Sequence, residues 1–199
     1  SRAARAAGFL LSRLHPGGRL LARYREGQAG IPAYLDDYAF LAWGLSELYR
    51  ATGGQEYLTG AANLTREMQD LFADPQGGFY FTGRDAQDLP VRPRESRDGA
   101  MPSGNAVAVM NLAHLARLTG DPDFQEAAGR HLSALAGEAA GQPAAHTFFL
   151  SILARQGSQT EGECNVEKSL AGRRYRRTSG RGTGDGSPPT LRGLRRPGS

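Results

Sequence analysis

Six positions recur in this chain at a constant spacing of 67 residues, and that recurrence narrows the possible folds more than any other feature. Leu45, Leu48, Thr52, Gly53, Tyr57 and Ala61 return as Leu112, Leu115, Thr119, Gly120, Phe124 and Ala128. The shared core is L-x-x-L-x-x-x-T-G-x-x-x-aromatic-x-x-x-A. Its physics is that of a helical hairpin. A glycine ends one helix in the left-handed conformation that a Cβ disfavours. Asp121 then suits the N-cap of the next helix, with Pro122 at its first position. The aromatic residue packs the short connection.

The apolar periodicity agrees. Leu35, Tyr38, Ala39, Ala42, Leu45, Leu48 and Tyr49 follow the spacing of an amphipathic helix over 34–51. Similar runs pass through Leu58 to Phe72, Ala106 to Ala116 and Phe124 to Leu135. A further run begins at Phe148, Phe149, Ile152 and Leu153, and Ala3 to Leu14 is a partial copy of the second helix of the unit. Long connections at 15–33, 73–102 and, more briefly, 137–143 alternate with the short turns, which places every long loop at one end of the array. Within 73–102, Gly77 to Gly83 and Leu89 to Pro93 are bounded by glycine and proline as a small β-hairpin would be. Helix pairs of this kind stack into an open solenoid or close into a toroid. Long, charged, glycine-rich loops gathered at one end favour the toroid.

Charge divides the chain in two. From Lys168 onward nine basic residues stand against one acid, Asp185, whereas residues 1–167 are mildly acidic. The segment 156–199, with its run Gly180 to Pro189, has too few apolar residues for a core, so it reads as a basic, disordered tail behind a helical domain at 1–155. Nucleic-acid binding by such a tail is the weaker reading. The abrupt change near Arg155 fits a linker or a shift of reading frame at the gene level, and the helical pattern stops in mid-element. Cys164 stands alone, so the chain has no internal disulfide, CxxC pair or cysteine zinc cluster. The first residues lack an initiator Met and a secretory cleavage pattern, and the chain reads as cut from something longer. No apolar run approaches a membrane span. A cytoplasmic location is expected, with no membrane partner.

Two segments open the helices that follow the long loops. One is Tyr34-Leu35-Asp36-Asp37-Tyr38; the other is Arg92-Pro93-Arg94-Glu95 with Asp98 to Asn105. Both belong at the same rim, where helix N-termini offer free N–H groups. Capping accounts for one carboxylate per helix, and Asp36, Asp37 and Ser103 are all suitable caps. Asp36, Asp37, Glu95 and Asp98 together exceed that need and are the candidate acid–base residues. Arg92 and Asn105 are the candidates for orienting a substrate, with Ser103 beside them. Such a set binds sugar hydroxyls and performs proton transfer at a glycosidic or hemiacetal centre. Tyr34, Tyr38, Phe79 and Tyr80 are candidates for stacking on sugar rings, while Trp43 reads as core. His146 opens the third equivalent helix at the same rim. No histidine spacing fits a metal site, and there is no P-loop or dinucleotide fingerprint, so neither metal nor cofactor is expected.

The segments Gly30 to Leu41, Gly77 to Thr82, Val91 to Glu95 and Asp98 to Asn105 resemble, in order and combination, those of the spermatogenesis-associated, thioredoxin-domain-containing protein family. The resemblance spans about residues 1–154 and implies the later part of an (α/α) toroid of six helical hairpins. Such toroids are similar to six-hairpin glycosidases and N-acylglucosamine 2-epimerases. The family's thioredoxin-like domain and the first hairpins are missing here. What the resemblance implies is carbohydrate metabolism at the level of the fold, with a carbohydrate ligand and the missing thioredoxin-like domain as partners. The rival reading is a non-catalytic domain whose rim binds another protein.

Overall fold

In the computed structural model, which describes residues 1–86 and 91–155, the two copies of the repeat form two helical hairpins. The first pairs α2 (Leu35–Thr52) with α3 (Gln55–Phe72). The second pairs α4 (Gly104–Thr119) with α5 (Pro122–Gly141). The repeat extends to individual hydrogen bonds. Gly53 and Gly120 sit at φ 71° and 68° and donate to Tyr49 and Ala116 at 2.7 and 2.9 Å. Thr52 Oγ1 donates to the Leu48 carbonyl and accepts from Gly54 N–H; Thr119 Oγ1 does the same with Leu115 and Asp121. A threonine followed by glycine therefore adds a second donor to a last-turn carbonyl of the finished helix and accepts from the N-cap amide of the next. Asp121 caps α5 by accepting from Asp123 N–H, as its position predicts.

A helix α1 (Arg2–Leu14) precedes the hairpins, and residues 147–155 form α6. Helices α2 and α4 pack side by side and run in the same direction, each from the loop end towards its tight turn. Small residues make this possible: Ala39, Ala42, Ala106 and Ala108 are all buried. The Asn111 carboxamide donates to the Ala39 carbonyl at 2.8 Å and ties α4 to α2 directly. Leu45, Leu64, Met68, Phe72, Leu112, Leu115 and Phe124 fill the core between hairpins. Trp43, expected inside, is only half-buried, against Phe40 and Phe148. No helix among the described residues is long and apolar enough to cross a membrane.

The small β-hairpin lies in the first long loop, as β1 (Leu21–Arg25) and β2 (Gln28–Pro32), rather than in the second. Glu26 and Gly27 both have positive φ, so the two-residue connection is a type I′ turn whose twist matches paired strands. In the second long loop the described residues show one isolated bridge, Ala73 to Phe79, and a Phe81 N–H donating to the Pro93 carbonyl. Proline at 93 offers no N–H, which leaves that contact without a ladder. Leu89, Pro90 and the 156–199 tail lie outside the described residues. The third connection is shorter than its glycines suggest. Residues 137–141 continue α5, because Ala139 is buried and Glu138 is held from outside the helix. Only 142–146, with a 3-10 turn at Pro143–Ala145, remains as loop.

All three long connections meet at one end. Arg19 of the first forms a two-pronged pair with Asp85 of the second. Asp98 N–H donates to the Ala145 carbonyl of the third at 2.8 Å. The floor beneath the second loop is His131 of α5, fully buried and stacked on Phe79 with centroids 4.2 Å apart. Its Nδ1 accepts from Gly78 N–H, so the imidazole is neutral with its proton on Nε2. Gly77, at φ 99°, passes so close to Ala134 that a Cβ would stand 2.4 Å away.

Burial lowers the His131 pKa to about 4 from its usual 6.5. The folded state therefore takes up this proton less readily than the unfolded chain. The stability it contributes is complete above pH 6.5 and is lost as pH falls towards 4, by about 3 kcal/mol. Chemical denaturation of the protein and of His131→Asn across this range tests the assignment. The substitution, which keeps an acceptor for Gly78, flattens the acid-side fall; parallel profiles would rule the role out.

Candidate functional site

Helix α4 begins at the meeting point of the loops, and its first residues organise the site. Ser103 is its N-cap, accepting from Ala106 N–H at 3.2 Å. Gly104 follows, and its lack of a side chain is a packing requirement: a Cβ there would lie 2.0 Å from Asp36 Oδ1. Through that gap the Asp36 carboxylate, on the first turn of α2, accepts from the Gly104 N–H. The two loop–helix junctions are thus joined by one charge-assisted hydrogen bond, with the α4 N-terminus facing the acid.

Asn105 is next, and it is fully buried. Its Oδ1 accepts from Phe79 N–H at 2.7 Å, and its Nδ2 donates to the carbonyls of Phe79 and Glu95 at 2.9 and 2.8 Å. The carboxamide therefore imitates a strand neighbour for Phe79 and fixes the backbone of the segment that carries Glu95. These bonds consume it, so its place is that of a brace rather than of a substrate-orienting group. Phe79 and Tyr38 also differ from their expected roles. Both rings are fully buried, because the loop folds Phe79 onto His131 and the Tyr38 hydroxyl ends in a polar network. That hydroxyl accepts from Leu20 N–H and Arg19, and donates to Glu67, which also bonds His15. Tyr34 alone of the three lies at the surface, stacked on Phe81 at 4.9 Å.

The four candidate carboxylates separate into two kinds. Asp37 accepts from Tyr34 N–H at 2.9 Å and closes the first turn of α2. Asp98 accepts from Ser103 N–H, Phe148 N–H and the Thr147 hydroxyl, so it ties the start of α4 to that of α6. Both spend their oxygens on capping. Asp36 and Glu95 do not. Asp36 is half-buried, and its pKa is raised by burial first, then by the charges of Glu95 and Asp37, with the Gly104 N–H acting in the opposite direction. Glu95 is exposed, and its carboxylate has no hydrogen-bond partner among the described residues. The charge of Glu95 thus adds to burial in disfavouring the ionised form of Asp36.

Arg92 does not face a ligand either. Its guanidinium donates to the carbonyls of Thr82 and Leu71 and lies 4.2 Å over the Tyr80 ring. Arg94 binds Asp74, the Gly77 carbonyl and Glu138. Ser96 Oγ donates to Glu138 Oε2 at 2.6 Å and lies 3.3 Å from His146 Nε2. These groups, with Glu95 and Arg97, line a cleft of about 820 Å³ between the 94–97 segment and the end of α5. That volume is in the range of small-molecule sites. Sequence patterns point to His146 and to the arginine–acid alternation of the segment. They carry no sign of Ser96 or Glu138, since Glu138 is one acid among several on an ordinary helical surface.

Two measurements follow from this geometry. Asn105→Ala leaves an N–H and two carbonyls without their partner, and lowers stability by about 3 kcal/mol in chemical denaturation; a loss under about 1 kcal/mol would contradict the brace. For Asp36 the sign is opposite. A raised pKa means the folded state binds this proton more tightly than the unfolded one, so stability falls as pH rises through that window and the deficit persists at neutral pH. Asp36→Asn, which retains an acceptor for Gly104, raises the melting temperature at pH 7, and the gain disappears on acidification below the usual carboxylate range. An unchanged or lowered melting temperature at pH 7 contradicts this.

No family model matches the chain. It is similar to curated proteins over about half its length. It is 40% identical over 95 residues to spermatogenesis-associated protein 20 of Mus musculus, covering 47% of this chain and 12% of that protein. The Homo sapiens protein of the same name is 39% identical over the same extent. An uncharacterized protein of Caenorhabditis elegans is 32% identical over 105 residues, covering 53% of this chain and 14% of its own length. The aligned segment is thus a small part of each of these longer proteins, and the similarity supports a relationship of this chain to the spermatogenesis-associated protein 20 family.

Proposed function

We propose that residues 1–155 are an arc of an (α/α) ring of helical hairpins that binds a carbohydrate and acts on it by acid–base catalysis. The observation that carries this reading is the Asp36–Glu95 pair. Glu95 lines the cleft, its charge together with burial raises the pKa of the half-buried Asp36, and neither carboxylate is consumed by a side-chain cation. In the proposed reaction the protonated Asp36 gives its proton to the sugar oxygen whose C–O bond breaks. Ionised Glu95 takes a proton from the attacking water or hydroxyl. The Gly104 N–H holds Asp36 in place, and Asn105 holds the Glu95 backbone. Asp37, Asp98, Ser103 and Arg92 serve the site by fixing its loops, and Tyr34 is the surface aromatic left to stack on a ring.

A second reading draws on the exposed apolar residues of the same end. Ile31, Val91 and Met101 are 46, 76 and 59% exposed, and Ile31 holds a positive φ that a β-branched side chain disfavours. A rim with such residues suits a protein partner such as a thioredoxin-like domain.

Proton NMR of mono- and oligosaccharides incubated with the protein separates the two readings. Catalysis appears as new anomeric or epimeric signals. Asp36→Asn and Glu95→Gln each slow it by about 10²–10⁴-fold without unfolding the chain. Because the acid form of Asp36 acts, the rate falls as pH rises through its raised pKa. If no sugar binds or turns over, or if both variants retain full activity, the catalytic reading is wrong.

A further inference from the structure

The segment 94–97 divides its side chains between two tasks. Arg94 and Ser96 both reach Glu138 on α5 and hold the segment against that helix. The side chains of the alternate residues, Glu95 and Arg97, make no hydrogen bond or ion pair among the described residues, yet both line the cleft. Their backbone is nonetheless fixed on both sides. Asn105 holds the Glu95 carbonyl, and the Asp98 N–H donates to Ala145. Arg97 is therefore an exposed cation on a pinned backbone rather than one on a free loop.

Its neighbours sharpen the point. Of the three arginines between 92 and 97, Arg92 is spent on carbonyls and on the Tyr80 ring, and Arg94 on Asp74 and Glu138. Only Arg97 keeps a full set of donors for a ligand. The cleft also presents acceptors, the carboxylates of Glu95 and Glu138 and the carbonyl end of α5 near Gly141, while its other cation, Arg94, is paired with Glu138. Those acceptors suit hydroxyls and repel an anion. A ligand that fits this charge layout carries hydroxyls at the acidic end and one negative group at the other.

Building on the carbohydrate reading above, we infer that the cleft takes an acidic sugar, whose carboxylate or phosphate is bound by Arg97 while its hydroxyls face Glu95 and Glu138. The guanidinium suits either oxyanion, because its planar fork donates two parallel hydrogen bonds.

The experiment titrates the full chain, by calorimetry or ligand-observed NMR at low salt, with neutral hexoses, the matching hexuronates and the hexose 6-phosphates. The acids bind about tenfold or more tightly than their neutral counterparts, as a charge-assisted contact supplies. Arg97→Gln removes that preference and leaves the neutral hexose affinity unchanged. Arg97→Lys retains part of it. Arg97 is exposed, so circular dichroism of both variants matches the parent. The ranking of hexuronate against 6-phosphate identifies the anionic group. If neutral and acidic sugars bind alike, or if Arg97→Gln leaves the preference intact, the assignment to Arg97 fails while the carbohydrate reading stands. If none of the sugars binds, both fail together.

Discussion

Buried at the start of α4, the Asn105 carboxamide takes the place of a β-strand edge for Phe79 and holds the Glu95 carbonyl with the same nitrogen. The described residues of the second long loop have almost no ladder of their own, so their backbone groups must find partners elsewhere or remain in water. One side chain supplies three of them. This positions Phe79 over His131, closes the floor of the loop end, and sets the segment from which Glu95 and Arg97 project. A carboxamide both accepts and donates across such a gap, and burial makes each of its bonds costly to lose.

The polar groups around this brace show how a crowded rim leaves a few of its charges uncommitted. Asp36, Asp37, Arg92, Arg94, Glu95, Arg97 and Asp98 crowd this rim, and most are consumed by the architecture. Asp37 and Asp98 cap helices, Arg92 gathers carbonyls, and Arg94 bridges two acids. The half-buried Asp36 is an exception. Its one donor among the described residues is a backbone N–H, and the charges of neighbouring acids raise its pKa. A structural role alone would be better served by a neutral residue, so its retention of a destabilising charge is the kind of local conflict that accompanies function.

Much of the scaffold was legible because its signals are local. The Thr–Gly pairs, Asp121 and Pro122 specify helix ends through chemistry confined to a few residues, and the 67-residue recurrence announces two equal hairpins. Where reading failed, a distant contact had overridden a local preference. Gly137 and Gly141 suggest a loop, yet Glu138 is held by Arg94 and Ser96 and the helix continues. Glycines and aromatics around Gly77 to Gly83 suggest a hairpin, but the amide of Phe79 is taken by Asn105 and that of Gly78 by His131.

By itself, the amino-acid order determined that the chain is helical, that its helices come in pairs, and that its acidic junctions share one end; each follows from spacing and capping within a turn or two. It could not say which acids remain unspent. Asp36 and Asp37 are neighbours of the same type, and only the approach of Gly104 distinguishes one from the other. Glu95 and Asp98 differ because one segment end meets α6 and the other opens on the cleft. The division of charges between holding the fold and facing a ligand depends on distances between residues far apart in the chain, and those distances exist only once the helices have packed.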